Sequence, residues 1–551
     1  MKYFHWFWFG IHVVTQLLAQ SLDPIPFDWS GQNGMSSYGG LLLWNRDWNS
    51  NELFFDGTFQ SYPLRFGEEI ARDATLSYTY GSHNISFPDS AEIHTSFDYR
   101  QGDYLFDQLN LRADFSQPNR IMKWNGFKRS YGGPGSQFIQ PENQSSQTLN
   151  PIQQSYLFYY LSKMNNRISV LSIGRFITDS GLFNNSEFNG LHQDEITTVS
   201  LFSKSYWNQF NIRLRISQYL ENRKWESIFS TGSRHYLSRG QILGILSPDD
   251  TENSSWEFGI VGNTQALAFP DTIISKNRSW ISVWGNLNRR KFQIYGGIDA
   301  GNGSVLPRFS ITVNRNSGSM KWENEVGMKN IPQHLMIWES SQSYFESWIN
   351  INSKAKWNNE NLTVFGILNY WHVNNLIKDE IESTISPKEL FSVETGYGWE
   401  AIHRLIISGS WRHSSKTPLL SDGIGDYFKI QIEYTKFLFS DNMELKADLI
   451  LEGLVNRDPT FGFNPALGRP FEHDWDPYIL PDYWTSHLDI TANVSSVIIT
   501  YRIRNLFHTQ ENMIKQIYPD LPEEWIYPRN NAYFLPMGQL VSFGVEWEFE
   551  D

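Results

Sequence analysis

Residues 207–217 read WNQFNIRLRIS. Phe210, Ile212, Leu214 and Ile216 fall on one phase of a two-residue period, and Gln209, Asn211, Arg213, Arg215 and Ser217 on the other. Successive side chains of a strand point to opposite faces, so the segment builds a sheet with one oily and one polar surface. The period recurs. In FKIQIEYT (428–435), Phe428, Ile430, Ile432 and Tyr434 oppose Lys429, Gln431, Glu433 and Thr435. In FDQLNLRADF (106–115) the apolar set is Leu109, Leu111, Ala113 and Phe115, and in RFSITVNR (308–315) it is Phe309, Ile311 and Val313. Strands buried on both faces would read as continuous apolar runs, which are scarce. Helical periodicity is scarce too, and residues 510–517 are its best short instance.

The connections differ in length. Asn165-Asn166, Asn286 to Arg290, Asn316 to Gly318, Asn358 to Asn361 and Asn493 to Ser495 are tight and rich in Asn, Gly and Arg. Residues 116–153, 177–194, 373–389, 452–482 and 508–536 are long and rich in Pro or Asn. Short turns on one rim and long loops on the other belong to a transmembrane β-barrel. The expected fold is therefore all-β, an antiparallel up-and-down barrel of about 22 strands, with a range of about 16 to 24. No repeat with fixed landmark residues marks a propeller or solenoid.

Composition narrows the function. The chain has 551 residues, no cysteine, a formal charge of −14 and 16% aromatics. Without cysteine there is no disulfide, thiolate metal site or cysteine nucleophile. The acidic balance argues against nucleic acid as a partner. The first residues, MKYFHWFWFGIHVVTQLLAQS, set Lys2 before an apolar run and a small-residue site at Ala19. This reads as a secretory signal peptide over 1–19. A periplasmic lead-in or the first strands are expected over 20–70, and the barrel over 71–551.

The last segment, LVSFGVEWEFED (540–551), alternates Val541, Phe543, Val545, Trp547 and Phe549 with Ser542, Gly544, Glu546 and Glu548. Asn505-Leu506-Phe507 ends the preceding strand, and Pro536-Met537-Gly538 leads into the last one. Together these resemble the C-terminal end of TonB-dependent receptor barrels. The resemblance covers about the last 60 residues. It implies recognition of the C-terminal strand by the barrel-insertion machinery, uptake of a small solute, and an energy-coupling protein as a partner. Two departures stand against it. Glu550 and Asp551 follow the final aromatic, and strand-like segments at 53–59, 75–80 and 92–99 occupy the place of the family's plug.

The chemistry of the phases follows. Arg213, Arg215, Lys429, Glu433, Arg502, Arg504, Glu546 and Glu548 lie on the polar phase. A charge facing lipid at the midplane costs about 2–4 kcal/mol, so these residues should face the lumen. There they line a pore and tune its selectivity, or form a packed ionic network. Trp207, Trp280, Trp371, Trp411, Trp484 and Trp547 lie near strand ends, where rings suit the membrane–water interface. Stacking on sugars is the competing use of such rings. The acidic cluster Glu472, His473, Asp474, Asp476 and Asp482 lacks the glycine and spacing of a calcium loop, so no metal site is assigned. No HExxH, GxSxG or phosphate-binding loop occurs, so no catalytic residue and no cofactor are expected.

Two functions remain. One is a non-enzymatic channel or receptor that passes small solutes across the outer membrane of a diderm bacterium, with membrane lipid as its main contact. The other is a secreted β-sandwich or propeller that binds or hydrolyses polysaccharide.

Overall fold

The computed structural model describes residues 25–26, 35–43, 87–130, 138–139, 152–183, 190–227, 230–248, 254–270, 274–301, 303–333, 335, 345–375, 387–464, 469–472, 480–506, 516, 519, 530–534 and 538–550. The expected signal peptide, the segments at 53–59 and 75–80, and the helical pattern at 510–517 lie outside these residues, apart from Gln516.

The wall is a closed barrel of 22 antiparallel strands. In chain order they are β1 (Glu92–Gly102), β2 (Asp107–Gln117), β3 (Arg120–Ser130), β4 (Ile152–Met164), β5 (Arg167–Phe183), β6 (Gly190–Trp207), β7 (Phe210–Ser227) and β8 (Ser230–Pro248). Then come β9 (Ser254–Phe269), β10 (Ile274–Arg289), β11 (Phe292–Gly301), β12 (Ser304–Ser317), β13 (Met320–Pro332), β14 (Phe345–Asn358) and β15 (Leu362–Asn374). The last are β16 (Lys388–Ile402), β17 (Leu405–Ser414), β18 (Ile424–Leu438), β19 (Met443–Arg457), β20 (Tyr483–Val494), β21 (Val497–Arg504) and β22 (Leu540–Glu550). Each strand pairs with its chain neighbours, and β22 returns to β1 through register pairs from Ser542↔Gly102 to Glu550↔His94. Closure leaves no unpaired edge, which hydrocarbon could not satisfy.

Alternation sorts the wall as read. On β7, Leu214, Ile216 and Leu220 are 55%, 57% and 48% exposed, whereas Arg213, Arg215 and Ser217 between them are buried. Phe309, Ile311 and Val313 of β12 and Ile430, Ile432 and Tyr434 of β18 are likewise exposed on the outside. The barrel is thus inside-out relative to a soluble one: its oily face looks outward and its charges look in.

The two rims differ. One carries the short connections, including Pro118-Asn119, Asn165-Asn166, Asn208-Gln209, Gly318-Ser319 and Ser495-Ser496. Asn165, Asn208 and Ser495 there adopt the left-handed backbone that tight hairpins require. The other rim carries 131–151, 375–387, 415–423, 458–482 and 505–539. One expected loop, 116–153, contains a full strand, β3. Lys123 and Lys128 sit on opposite phases of that strand and blur its alternation. The wall is also uneven in height: β7 has 18 residues and β21 has 8.

Among the described residues the barrel begins at Glu92, later than residue 71. Upstream, Ile25–Pro26, Ser36–Tyr38 and Leu41–Leu43 form a separate three-stranded sheet. Gly39 and Gly40 turn its hairpin with φ of 58° and 89°. A turn with two positive φ values matches strand twist, and glycine adopts it without a steric penalty.

Candidate solute path and the hairpin in its mouth

The hairpin at 36–43 sits inside the barrel at the long-loop end. Its tip touches inward-facing residues: Gly39 lies against Asn369 and Trp371, and Gly40 against Ser392 and Ser414. Leu41, Leu42 and Leu43 are buried. They pack with Trp348, Trp371, Leu390, Leu420, Phe461 and Phe463 in one apolar cluster.

The hairpin also adds a strand to the loop after β17. The Leu42 N–H donates to Leu420 O at 2.9 Å, and the Asp422 N–H donates to Gly40 O at 3.0 Å. Leu41 and Ser421 are the facing pair between these bonds. Beneath them, Arg412 and Asp422 form a fully buried ion pair at 2.7 Å. Ser37 Oγ donates to Asp422 and accepts from Arg412 Nη1 at 3.1 Å. A buried pair is tolerable only when further hydrogen bonds satisfy it, and Ser37 supplies them from the far end of the chain.

Two more loops complete the lid. The Asp458 N–H donates to Gly423 O at 2.8 Å, and Thr460 Oγ1 donates to Ser421 O at 2.9 Å. Arg457 donates to Pro481 O and to Asn530 O, at 3.0 and 2.8 Å, and stacks on Tyr483, whose hydroxyl bonds Asn530. Phe463 and Phe534 pack with ring centroids 5.2 Å apart. Hairpin and loops therefore share one apolar and hydrogen-bonded unit at the loop end.

The charges named from the sequence separate into groups. Arg213 and Arg215 are buried on the inner face of β7; Arg213 pairs with Glu257, and Arg215 lies 5.5 Å from the Phe202 ring. Lys429 and Glu433 share the inner face of β18, and Glu433 bonds Lys446 at 3.0 Å. Arg502 and Arg504 both reach Asp489, at 3.6 and 2.6 Å. Glu546 stands in register with Asp98, which pairs with Arg100, so these groups form one network across the closing seam of β20, β21, β22 and β1. Glu548 is exposed near the short-turn rim. Of the acidic cluster, Glu472 pairs with Lys388 and Asp482 caps the Asn456 N–H, while 473–479 lie outside the described residues. No group of metal-ligating side chains occurs among the described residues.

The tryptophans divide. Trp207 and Trp547 are exposed near the short-turn rim, and Trp411 and Trp484 near the loop rim. Trp280 and Trp371 do not fit an outer girdle, because both are buried on the inner face. Trp280 shares its phase with Ser282 and Trp284 and lies under Arg239 and Arg278. Trp371 backs the hairpin tip.

Sequence reading missed the strongest interior groups. Asp194, Glu221 and Arg223 form a buried network, with Tyr219 donating to Glu221 at 2.7 Å. Asp299 accepts from Ser282, Arg308 and Asn330. The Ser37–Asp422 contact spans 385 residues, a separation at which no local pattern gives a signal.

No protein-family model and no curated protein matches this chain. Solved structures do. The iron transporter FrpB from Neisseria meningitidis superposes with a TM-score of 0.61 at 9% identity, over 84% of this chain and 82% of that one. A mutant of the ferric enterobactin receptor PfeA from Pseudomonas aeruginosa gives 0.64 at 9% identity, over 84% and 82%. The siderophore receptor PirA from Acinetobacter baumannii gives 0.62 at 8%, over 84% and 81%. At such identity the likeness is one of fold.

Proposed function

We propose that this chain is a non-enzymatic outer-membrane barrel that takes up a small solute of the diderm cell's surroundings. The observation that carries the reading is the mouth. An inside-out wall of 22 strands encloses a charged interior, and its own N-terminal hairpin is lodged inside the loop end against three loops. A barrel kept for structure alone has no use for a charged lumen with a hairpin lodged in its mouth, whereas a receptor that must stay shut until a solute arrives does. The similar structures are named as an iron transporter, a siderophore receptor and a copper transporter, which supports an uptake role here. The closed single barrel is neither a sandwich nor a propeller, so the polysaccharide reading loses its fold.

In this reading the inner charges set which solutes pass, and the exposed tryptophans form girdles at the two membrane borders. The barrel-insertion machinery takes the C-terminal strand, and an energy-coupling protein acts from the short-turn side. Two measurements test it. Extraction only with detergent, with a heat-dependent gel shift of the folded protein, is expected; recovery as a soluble monomer overturns the reading. In planar bilayers the intact barrel should be nearly silent and conduct once the hairpin is released. A large steady conductance from the intact protein would show that the mouth does not close.

A further inference from the structure

The outer wall carries a groove that the solute path does not use. Phe97, Leu111, Gly126, Tyr156 and Arg175 are successive register partners across β1 to β5. In the adjacent row, Ala113, Trp124 and Phe158 are partners. All of these positions share the outward phase. Gly126 and Ala113 make a low floor, while Trp124 and Tyr156 stand 62% and 53% exposed as walls. Trp124 and Phe158 meet edge-on at 5.5 Å. The hollow measures 570 Å³, within the range of ligand sites. A Cβ at Gly126 would meet only the Tyr156 ring edge, at 4.0 Å, so the wall's own packing does not require a glycine there.

Rows in a tilted barrel climb from strand to strand, and Arg175 is at the upper end of this one. It lies eight residues along β5 from Arg167. That places it roughly 20 Å above the short-turn rim, for a rise of ~3.3 Å per residue at ~40° tilt. The apolar belt of such barrels is about 25 Å tall, so the Arg175 backbone lies about 5 Å below its upper border, a distance its long side chain spans to reach the headgroups. Toward the loop rim polar residues enter the outward face: Gln154, Arg175 and Glu195 follow Phe158, Ile173 and Val199, alongside Ile152 and Ile177. Arg175 Nη2 donates to Glu195 at 2.7 Å. Glu195 stands on β6, across β5 from the groove, so the pair fixes one edge of the guanidinium; Arg175 itself borders the hollow, and its Nε and Nη1 donors have no partner among the described residues.

We propose that this groove binds one acyl chain of a phosphate-bearing lipid from the loop-side leaflet, with the lipid's phosphate on the free edge of Arg175. The inference rests on the reading of the wall as membrane-spanning. A hollow in hydrocarbon forfeits dispersion contacts unless something fills it, and a flexible chain conforms to a floor of Gly126 and Ala113. The guanidinium matches a phosphate in charge and fork geometry.

Native mass spectrometry of the full detergent-folded chain tests this, with phosphatidylglycerol and an uncharged diacyl glycolipid of the same chain length as probes. One phosphatidylglycerol is expected to remain bound, preferred about fivefold over the glycolipid, as one basic residue near a membrane surface supports. G126L fills the floor and should weaken retention by about tenfold or more, because several methylenes lose their contact. R175Q should keep a bound lipid and lose the preference. The site is overturned if folded G126L retains lipid like the parent, if the parent binds both probes equally, or if a second copy of the chain occupies the face instead. Recovery of the protein without detergent would overturn the membrane reading itself, and that result appears before any lipid is added.

Discussion

Ile216 is 57% exposed, and its chain neighbours Arg215 and Ser217 are each 3% exposed. That contrast between adjacent positions is the basic unit of the fold. Ile216→Arg should cost about 2–4 kcal/mol in urea unfolding from vesicles, since it places a guanidinium in hydrocarbon. Arg412 gives the opposite case. Arg412→Ala leaves Asp422 buried without its partner and should cost about 3–5 kcal/mol, while R412M with D422L together should recover much of the loss. Both are read from the midpoint and slope of the unfolding curve. At this scale the polar phase was legible, because a charge has only one tolerable face. Tryptophan was not, because its ring and N–H suit either face: Trp371 and Trp411 are indistinguishable in sequence, yet one backs the hairpin and the other faces out.

Among elements, long two-faced strands such as β7, β12 and β18 could be read from their period. β3 could not, since Lys123, Gly126 and Lys128 break both phases. The hairpin was also hidden: SSYGGLLL is buried on both phases, with only Tyr38 half-buried, so no alternation marks it. Its attachment invites a direct test. Leu41 and Ser421 face each other between two backbone bonds, a pairing that brings Cα atoms to about 4.5 Å, within disulfide range. The chain has no cysteine of its own, so L41C with S421C makes a single bridge. The oxidised barrel should conduct less than the same protein after reduction. Equal conductance in both states would separate the hairpin from gating.

For the whole molecule, chain length and the span of a tilted strand bracketed the strand number at about 16 to 24, around 22, and alternation with short turns on one rim and long loops on the other pointed to a barrel. Removal of Leu540–Glu550 would leave β21 and β1 with unpaired edges. The truncated chain should lose the heat-dependent gel shift entirely, whereas removal of 25–43 should leave it intact. The interior networks were not legible, because ring closure brings together groups from distant parts of the chain. Arg502 and Arg100 share one patch only after β22 meets β1.

The reach of Ser37 to Asp422 also has a meaning in time. Its 385-residue separation means that the hairpin, though near the start of the chain, has no seat until the loop after β17 exists. Contacts of such separation form late, after their loop-closure entropy has been met. The earliest synthesised part of the lid is thus among the last to settle, and its docking marks a nearly finished ring. A barrel in which β18 has not yet joined the ring leaves the hairpin without its seat, so a protease pulse during refolding should cleave the hairpin faster than in the closed ring.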